Sequence, residues 1–103
     1  MMREFRRARR RNVPKPVAVF DLMTEQVIGR LGNLSESGML LVATEPVTED
    51  ALYQLRFHLR DERGQDVPID VGAHLLWSAP ANTPGQAFAG LRFLTIDREP
   101  LER

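Results

Sequence analysis

Two stretches of the chain alternate apolar and polar positions over most of their length. Tyr53, Leu55, Phe57 and Leu59 fall on one side, and Gln54, Arg56, His58 and Arg60 on the other. That period of two is the signature of a half-buried strand, here Ala51–Arg60. Val67, Ile69, Val71, Ala73, Leu75 and Trp77 repeat it, which predicts a strand over Val67–Ser78 with Trp77 in the core beside Ile69, Val71 and Leu75. Between them, Asp61-Glu62-Arg63-Gly64-Gln65-Asp66 reads as a hairpin loop. Shorter apolar runs give strands at Pro16–Met23, Val27–Leu34, Met39–Ala43 and Gln86–Ile96. Thr24-Glu25-Gln26, Thr44–Asp50 and the proline-containing Ala79–Gly85 separate them. Six short strands with turn signals at close intervals predict an all-β fold, a small six-stranded antiparallel barrel. No heptads and no internal repeats interrupt this pattern.

Composition narrows the class. A chain of 103 residues holds one core, and 43% hydrophobic residues argue against general disorder. Without cysteine there is no disulfide framework and no thiolate metal site. No apolar run approaches the roughly 18 residues that span a bilayer, and no apolar segment follows the basic start as a signal peptide requires. The expectation is cytoplasmic residence without membrane insertion.

The formal net charge of +0 conceals a division. Residues 1–15 carry Arg3, Arg6, Arg7, Arg9, Arg10, Arg11 and Lys15 against the single acid Glu4, so the rest of the chain is acidic. A basic arm on an acidic body predicts an anionic partner at the N-terminus. The arm has no clean period, and Pro14 and Pro16 favour extended geometry. Residues 1–15 are therefore expected to be a flexible arm, 16–97 the barrel and 98–103 a tail.

Two segments carry candidate chemistry. Arginine is permanently charged, and its planar fork matches phosphate oxygens and the O6/N7 edge of guanine. Four residues apart on an extended arm, two arginines lie about 13 Å apart at roughly 3.3 Å per residue; on a turn they converge. The second segment is Asn33-Leu34-Ser35-Glu36-Ser37-Gly38. Asn33 offers an amide to a base edge or ribose, Ser35 a hydroxyl to a ligand or to the turn itself, and Gly38 either a positive φ or a close backbone approach. Taken singly, an arginine run is also what a solubilising tail contains, and Asn, Ser and Gly are what any tight turn uses.

Together, Arg-x-x-x-Arg followed by Asn-x-Ser-x-x-Gly resembles the signature of PilZ domains, bacterial receptors for cyclic di-GMP. The second half is Asn33-x-Ser35-x-x-Gly38; the first fits as Arg6-x-x-x-Arg10 or as Arg7-x-x-x-Arg11. Leu75-Leu76-Trp77 late in a strand and Gly90-Leu91-Arg92-Phe93-Leu94 near the end extend the resemblance from about Arg6 to about Ile96. It implies a six-stranded antiparallel barrel and a non-enzymatic receptor that uses no cofactor. It further implies that Arg6, Arg7, Arg10 and Arg11 supply contacts to phosphates and guanines, and that Asn33 and Ser35 touch the ligand beside a backbone role for Gly38. Asn33 stands where the family has Asp or Asn, and lacks the carboxylate that pairs with guanine N1–H and N2–H. Arg92, alternating away from Leu91 and Phe93, is a possible further contact. The family usually adds a helix after the last strand. Here only Asp97–Arg103 remains, with Pro100 inside it, so little or no C-terminal helix is expected.

Other chemistry is thin. His58 and His74 sit on polar faces with no third ligand at metal spacing, and read as surface histidines. Asp61, Glu62 and Asp66 form a solvated loop. There is no Gly-x-Ser-x-Gly element and no Walker loop, so no enzyme is expected. The leading function is a cyclic di-GMP receptor whose arm orders over the ligand and presents a new surface to a downstream protein partner. Two alternatives stay open: a PilZ-like interaction module without ligand, and a small barrel that binds nucleic acid. The second needs outward aromatics for stacking, whereas Tyr53, Phe57, Trp77, Phe88 and Phe93 read mostly as apolar-face residues, so no specific nucleic acid is expected.

Overall fold

The computed structural model describes residues 11–12 and 16–98. These residues form seven strands and no helix: β1 (Arg11–Asn12), β2 (Ala18–Asp21), β3 (Gln26–Leu34), β4 (Gly38–Ala43), β5 (Leu52–Arg60), β6 (Asp66–Pro80) and β7 (Ala87–Arg98). All pairings are antiparallel. The order β3-β2-β5-β6-β7-β4 closes through a β3–β4 pairing into a six-stranded barrel, and β1 adds to β3. The six barrel strands are those the alternation predicts, with shifted ends. The expected tail beyond residue 98 lies outside the described residues, and so does most of the expected arm.

The buried set is apolar except for Asp21, whose Oδ1 accepts from the Met23 N–H at 2.8 Å. Val19, Leu41, Leu55, Phe57, Val71, Ala73, Leu75 and Ala89 are each at most 1% exposed. These inward residues make one continuous core, because a closed barrel leaves no sheet edge open and buries one face of every strand. The Asp61–Asp66 hairpin is braced by Asp61, whose Oδ1 accepts from the backbone N–H of Arg63 and of Gln65. Those donors, Gln65 first, hold its carboxyl below the ordinary carboxylate range. The acidic loop is thus a self-capped turn, and among the described residues no group of acids or histidines has metal-binding geometry.

Four bulges interrupt the ladders; one leaves Ile28 extra in β3 opposite Val19 and Phe20, and the other three bear on the site. In β3 the register steps from Leu31 opposite Leu41 to Asn33 opposite Leu40, leaving Gly32 as the extra residue. In β7, Leu94 is extra between Phe93 and Thr95. In β6, Leu76 is extra between Leu75 and Trp77. Each inserted residue reverses the parity of the positions after it. Trp77 is the clearest consequence. The expectation that it shares the core face with Leu75 is wrong, because the Leu76 bulge turns it outward, where it is 45% exposed. Its partner on the outer surface is Gly90.

On the opposite flank, Arg56 and Asp70 are cross-strand partners joined by a bidentate pair, Nε to Oδ1 at 2.6 Å and Nη2 to Oδ2 at 2.9 Å. The guanidinium bonds lower the Asp70 pKa. A carboxyl with a depressed folded-state pKa contributes stability that is present above its unfolded value, near 3.9, and is lost as pH falls through the folded one. Both side chains remain over a third exposed, so the contribution is that of a screened pair, about 0.5–1 kcal/mol. Asp70→Asn should lower the melting temperature by a few degrees at pH 7. The gap between variant and parent should close below about pH 4, as thermal melts across pH would read.

Candidate functional site

The Asn33–Gly38 segment is a tight β3–β4 turn. Ser35 N–H donates to the Gly38 carbonyl at 2.9 Å, and Phe93 N–H donates to the Ser37 carbonyl at 2.9 Å, tying the turn to β7. The Ser35 hydroxyl lies 3.4 Å from the Gly38 carbonyl and 3.5 Å from the Ser37 hydroxyl. These are long contacts that leave it able to reorient toward a ligand. Gly38 does not adopt a positive φ. Its reason is the close approach: a Cβ there would stand 2.1 Å from the Leu91 carbonyl oxygen.

The bulge at Gly32 sets the direction of Asn33. Plain alternation from inward Leu31 would send Asn33 inward and Leu34 outward; with one residue inserted, Leu34 packs against the core and Asn33 joins the outer surface. Cross-strand pairings then run in one line across the sheet: Asn12 opposite Asn33, Asn33 opposite Leu40, Leu40 opposite Gly90, and Gly90 opposite Trp77. A second line, two residues along, runs from Gly38 through Arg92 to His74. Both lines lie on the outer face, which carries a shallow groove of about 600 Å³ lined by Asn33, Ser35, Gly38, Leu40, Trp77 and Arg92 among others.

The groove brings together every described residue that the sequence singled out except Arg11, whose backbone pairs with Leu34 next to it. Arg6, Arg7 and Arg10 lie outside the described residues. Arg92 is exposed and has no acidic partner within salt-bridge distance among the described residues. Such a guanidinium, on a surface that also offers an amide and a hydroxyl, suits an anion with a hydrogen-bonding base.

Trp77 is the site residue that the alternation misplaces. Its ring lies on Gly90, where a Cβ would sit 2.2 Å from the indole Nε1. Its outer face is free to stack on a planar ligand. Only the Leu75–Trp77 bulge reveals this, and a bulge leaves no mark in a period-two pattern; the glycine at position 90 is the one hint. The segment is held from behind by the loop before β5. Ser78 N–H and hydroxyl both donate to Glu49 Oε2, at 2.9 and 3.1 Å, and Asp50 Oδ1 lies 2.6 Å from His74 Nε2. His74 is therefore a partnered, part-buried group rather than a plain surface histidine. Gly90→Ala should push the indole off the sheet at a cost of about 1–3 kcal/mol. Trp77 is the single tryptophan, so a red shift of intrinsic emission in the folded variant would report the displacement directly.

Trp77 and Phe88, at 45% and 36% exposure, both face out, so the reading of the aromatics as apolar-face residues holds only for part of the set. Among the described residues no helix is long and apolar enough to cross a membrane.

Comparison with known proteins places this geometry. No curated protein and no solved structure matches the chain significantly. A family model does: the PilZ domain, over residues 3–103. PilZ domains are generally receptors for cyclic di-GMP. With a closed six-stranded barrel and a match that spans essentially its whole length, this chain belongs to the PilZ domain family.

Proposed function

We propose that this protein is a non-enzymatic cyclic di-GMP receptor that holds the dinucleotide between its N-terminal arginines and the Asn33–Gly38 turn. The observation that carries the reading is the pairing of Asn12 with Asn33 and of Arg11 with Leu34. β1 thus holds Arg11 and Asn12 at the edge of the groove. In sequence, Arg10 is one residue before Arg11, Arg7 four and Arg6 five. The arginines and Arg92 bind phosphate and stack on guanine, Asn33 and Ser35 hydrogen-bond to base or ribose, and Trp77 supplies an aromatic wall.

The signal is ordering of the arm. The arm contains little apolar area of its own, and fixing its backbone costs about 1–2 kcal/mol per residue. Charge-assisted bonds of roughly 1.5–3 kcal/mol each offset that only when the dianion is present. The ordered arm and groove rim then form a surface for a downstream protein.

Calorimetric titration of cyclic di-GMP into the protein at near-physiological salt tests this and gives the stoichiometry. Micromolar or tighter binding is expected, weakened about tenfold in Asn33→Ala, the loss of roughly one hydrogen bond to a charged or polar ligand. Absence of heat would overturn the receptor reading in favour of an interaction module. Affinity that grows with polynucleotide length and ignores base identity would favour nucleic acid.

A further inference from the structure

The end of the barrel away from the Asn33–Gly38 turn has a chemistry of its own. Three connections gather there, residues 22–25, 44–51 and 81–86. β3 spans the barrel between its two ends, and the steps from Gln26 to Leu34 separate them by about 26 Å at roughly 3.3 Å per residue. Met23 and Leu52, at 70% and 65%, are the most exposed large apolar side chains among the described residues, and both stand at this end, as does half-exposed Val27. The three connections carry Glu25, Glu45, Glu49 and Asp50 and neither lysine nor arginine. Glu25 and Glu45 are exposed and have no hydrogen-bond or ion-pair partner among the described residues. Glu49 accepts only from the uncharged donors of Ser78, and the Asp50 side chain stays 88% exposed beside His74. An apolar surface is thus set among negative charges.

This surface is braced rather than loose. Met23 N–H donates to Oδ1 of the buried Asp21 at 2.8 Å, and Leu22 N–H to the Gln54 carbonyl at 2.8 Å, which sets the turn against the start of β5. Thr48 N–H donates to the Tyr53 hydroxyl at 2.9 Å, and Asp50 N–H to the Leu75 carbonyl at 2.7 Å. Glu25 and Asp50 have φ of 60° and 68°. Glycine would hold those left-handed positions without steric cost. Acids hold them instead, each two residues from an exposed apolar side chain. A second copy docked across a two-fold axis would set these acids against their own equivalents. An apolar segment flanked by lysine or arginine matches both features.

We propose that this end of the barrel is a docking surface for a partner protein that presents an apolar segment flanked by basic residues. Met23 and Leu52 are the anchors, and the surrounding acids steer and orient the partner. Because hydrogen bonds within the barrel already hold both anchors in place, little ordering is left for docking to drive. The surface needs no nucleotide, so it stands or falls apart from the cyclic di-GMP reading.

Amide-resolved NMR titration of the full chain, without nucleotide, tests this with three short synthetic peptides. One consists of leucine and lysine; in the second every lysine is replaced by glutamate, and in the third every leucine by serine. The leucine–lysine peptide is expected to shift the amides of Met23, Glu25, Asp50 and Leu52 and to bind at least about tenfold more tightly than either control. Met23→Ser combined with Leu52→Ser should weaken it about tenfold. Glu25→Gln combined with Glu45→Gln should weaken it several-fold, a gap that closes as salt is raised. Glu49 and Asp50 are left intact because they bond to Ser78 and His74. Equal binding of the serine–lysine peptide would overturn the proposal, since charge alone would then suffice. Shifts centred on the groove or on Leu34 and Ile96, or affinity indifferent to the Met23 and Leu52 changes, would also overturn it. Shifts of the same amides with protein concentration alone would overturn it too, and assign this end to a second copy.

Discussion

Replacing one pair of arm arginines by alanine, either Arg6 with Arg10 or Arg7 with Arg11, is expected to weaken cyclic di-GMP binding by roughly 10²–10⁴-fold, while the other pair costs far less. Each charge-assisted contact contributes roughly 1.5–3 kcal/mol, and a tenfold change in affinity is about 1.4 kcal/mol, so two lost contacts give that range. The asymmetry matters more than the size. A specific site needs guanidinium forks at fixed places, four residues apart, whereas a tail that gathers polyanions responds to the number of charges. Equal losses from both pairs, or full rescue by lysine at all four positions, would point to the tail. Calorimetry on the two double variants and their lysine counterparts reads this. Melting temperatures within a few degrees of the parent would show that the barrel is intact, because surface substitutions usually change stability by about 0.5 kcal/mol or less.

The barrel was legible in the sequence because its physics is periodic. Leu55, Phe57, Val71 and Leu75 are buried to within 1% of completely, where period two puts them, and each of the six predicted strands is present. The turn was legible because Asn33, Ser35 and Gly38 are ordinary turn residues whose spacing, after the arginine pairs, matches a family. What escaped was decided by single inserted residues. Gly32 and Leu76 each reverse the parity of their strand, and together they carry Asn33 and Trp77 onto the same outer face. A bulge is a contest between two hydrogen-bond registers that differ by one residue, and composition does not show which one wins. The sequence pattern therefore named Asn33 without giving its direction, and assigned Trp77 the wrong one.

Gly38→Ala should be the most damaging single substitution on the groove. A Cβ at this position would lie 2.1 Å from the Leu91 carbonyl oxygen, and neither side of that contact is a side chain that can turn away. Relief requires β4 and β7 to separate where Gly38 faces Arg92, at the end of the β4–β7 seam that helps close the barrel. Overpacking against side chains costs about 1–3 kcal/mol. Against backbone, roughly 3 kcal/mol or more is expected, a large part of the 5–15 kcal/mol that holds a small domain together. At about 4–8 °C per kcal/mol, the melting temperature should fall by at least about 12 °C. The same shift moves Arg92 and the Ser35–Ser37 hydroxyls relative to one another, so ligand binding should be lost even at temperatures where the variant stays folded. Gly85→Ala is the informative contrast. Gly85 has φ +84° and nothing within 4 Å of an added Cβ, so its cost is conformational strain of about 1 kcal/mol, without loss of binding. If Gly38→Ala melts no lower than Gly85→Ala and still binds, the close approach of β4 to β7 does not shape the site.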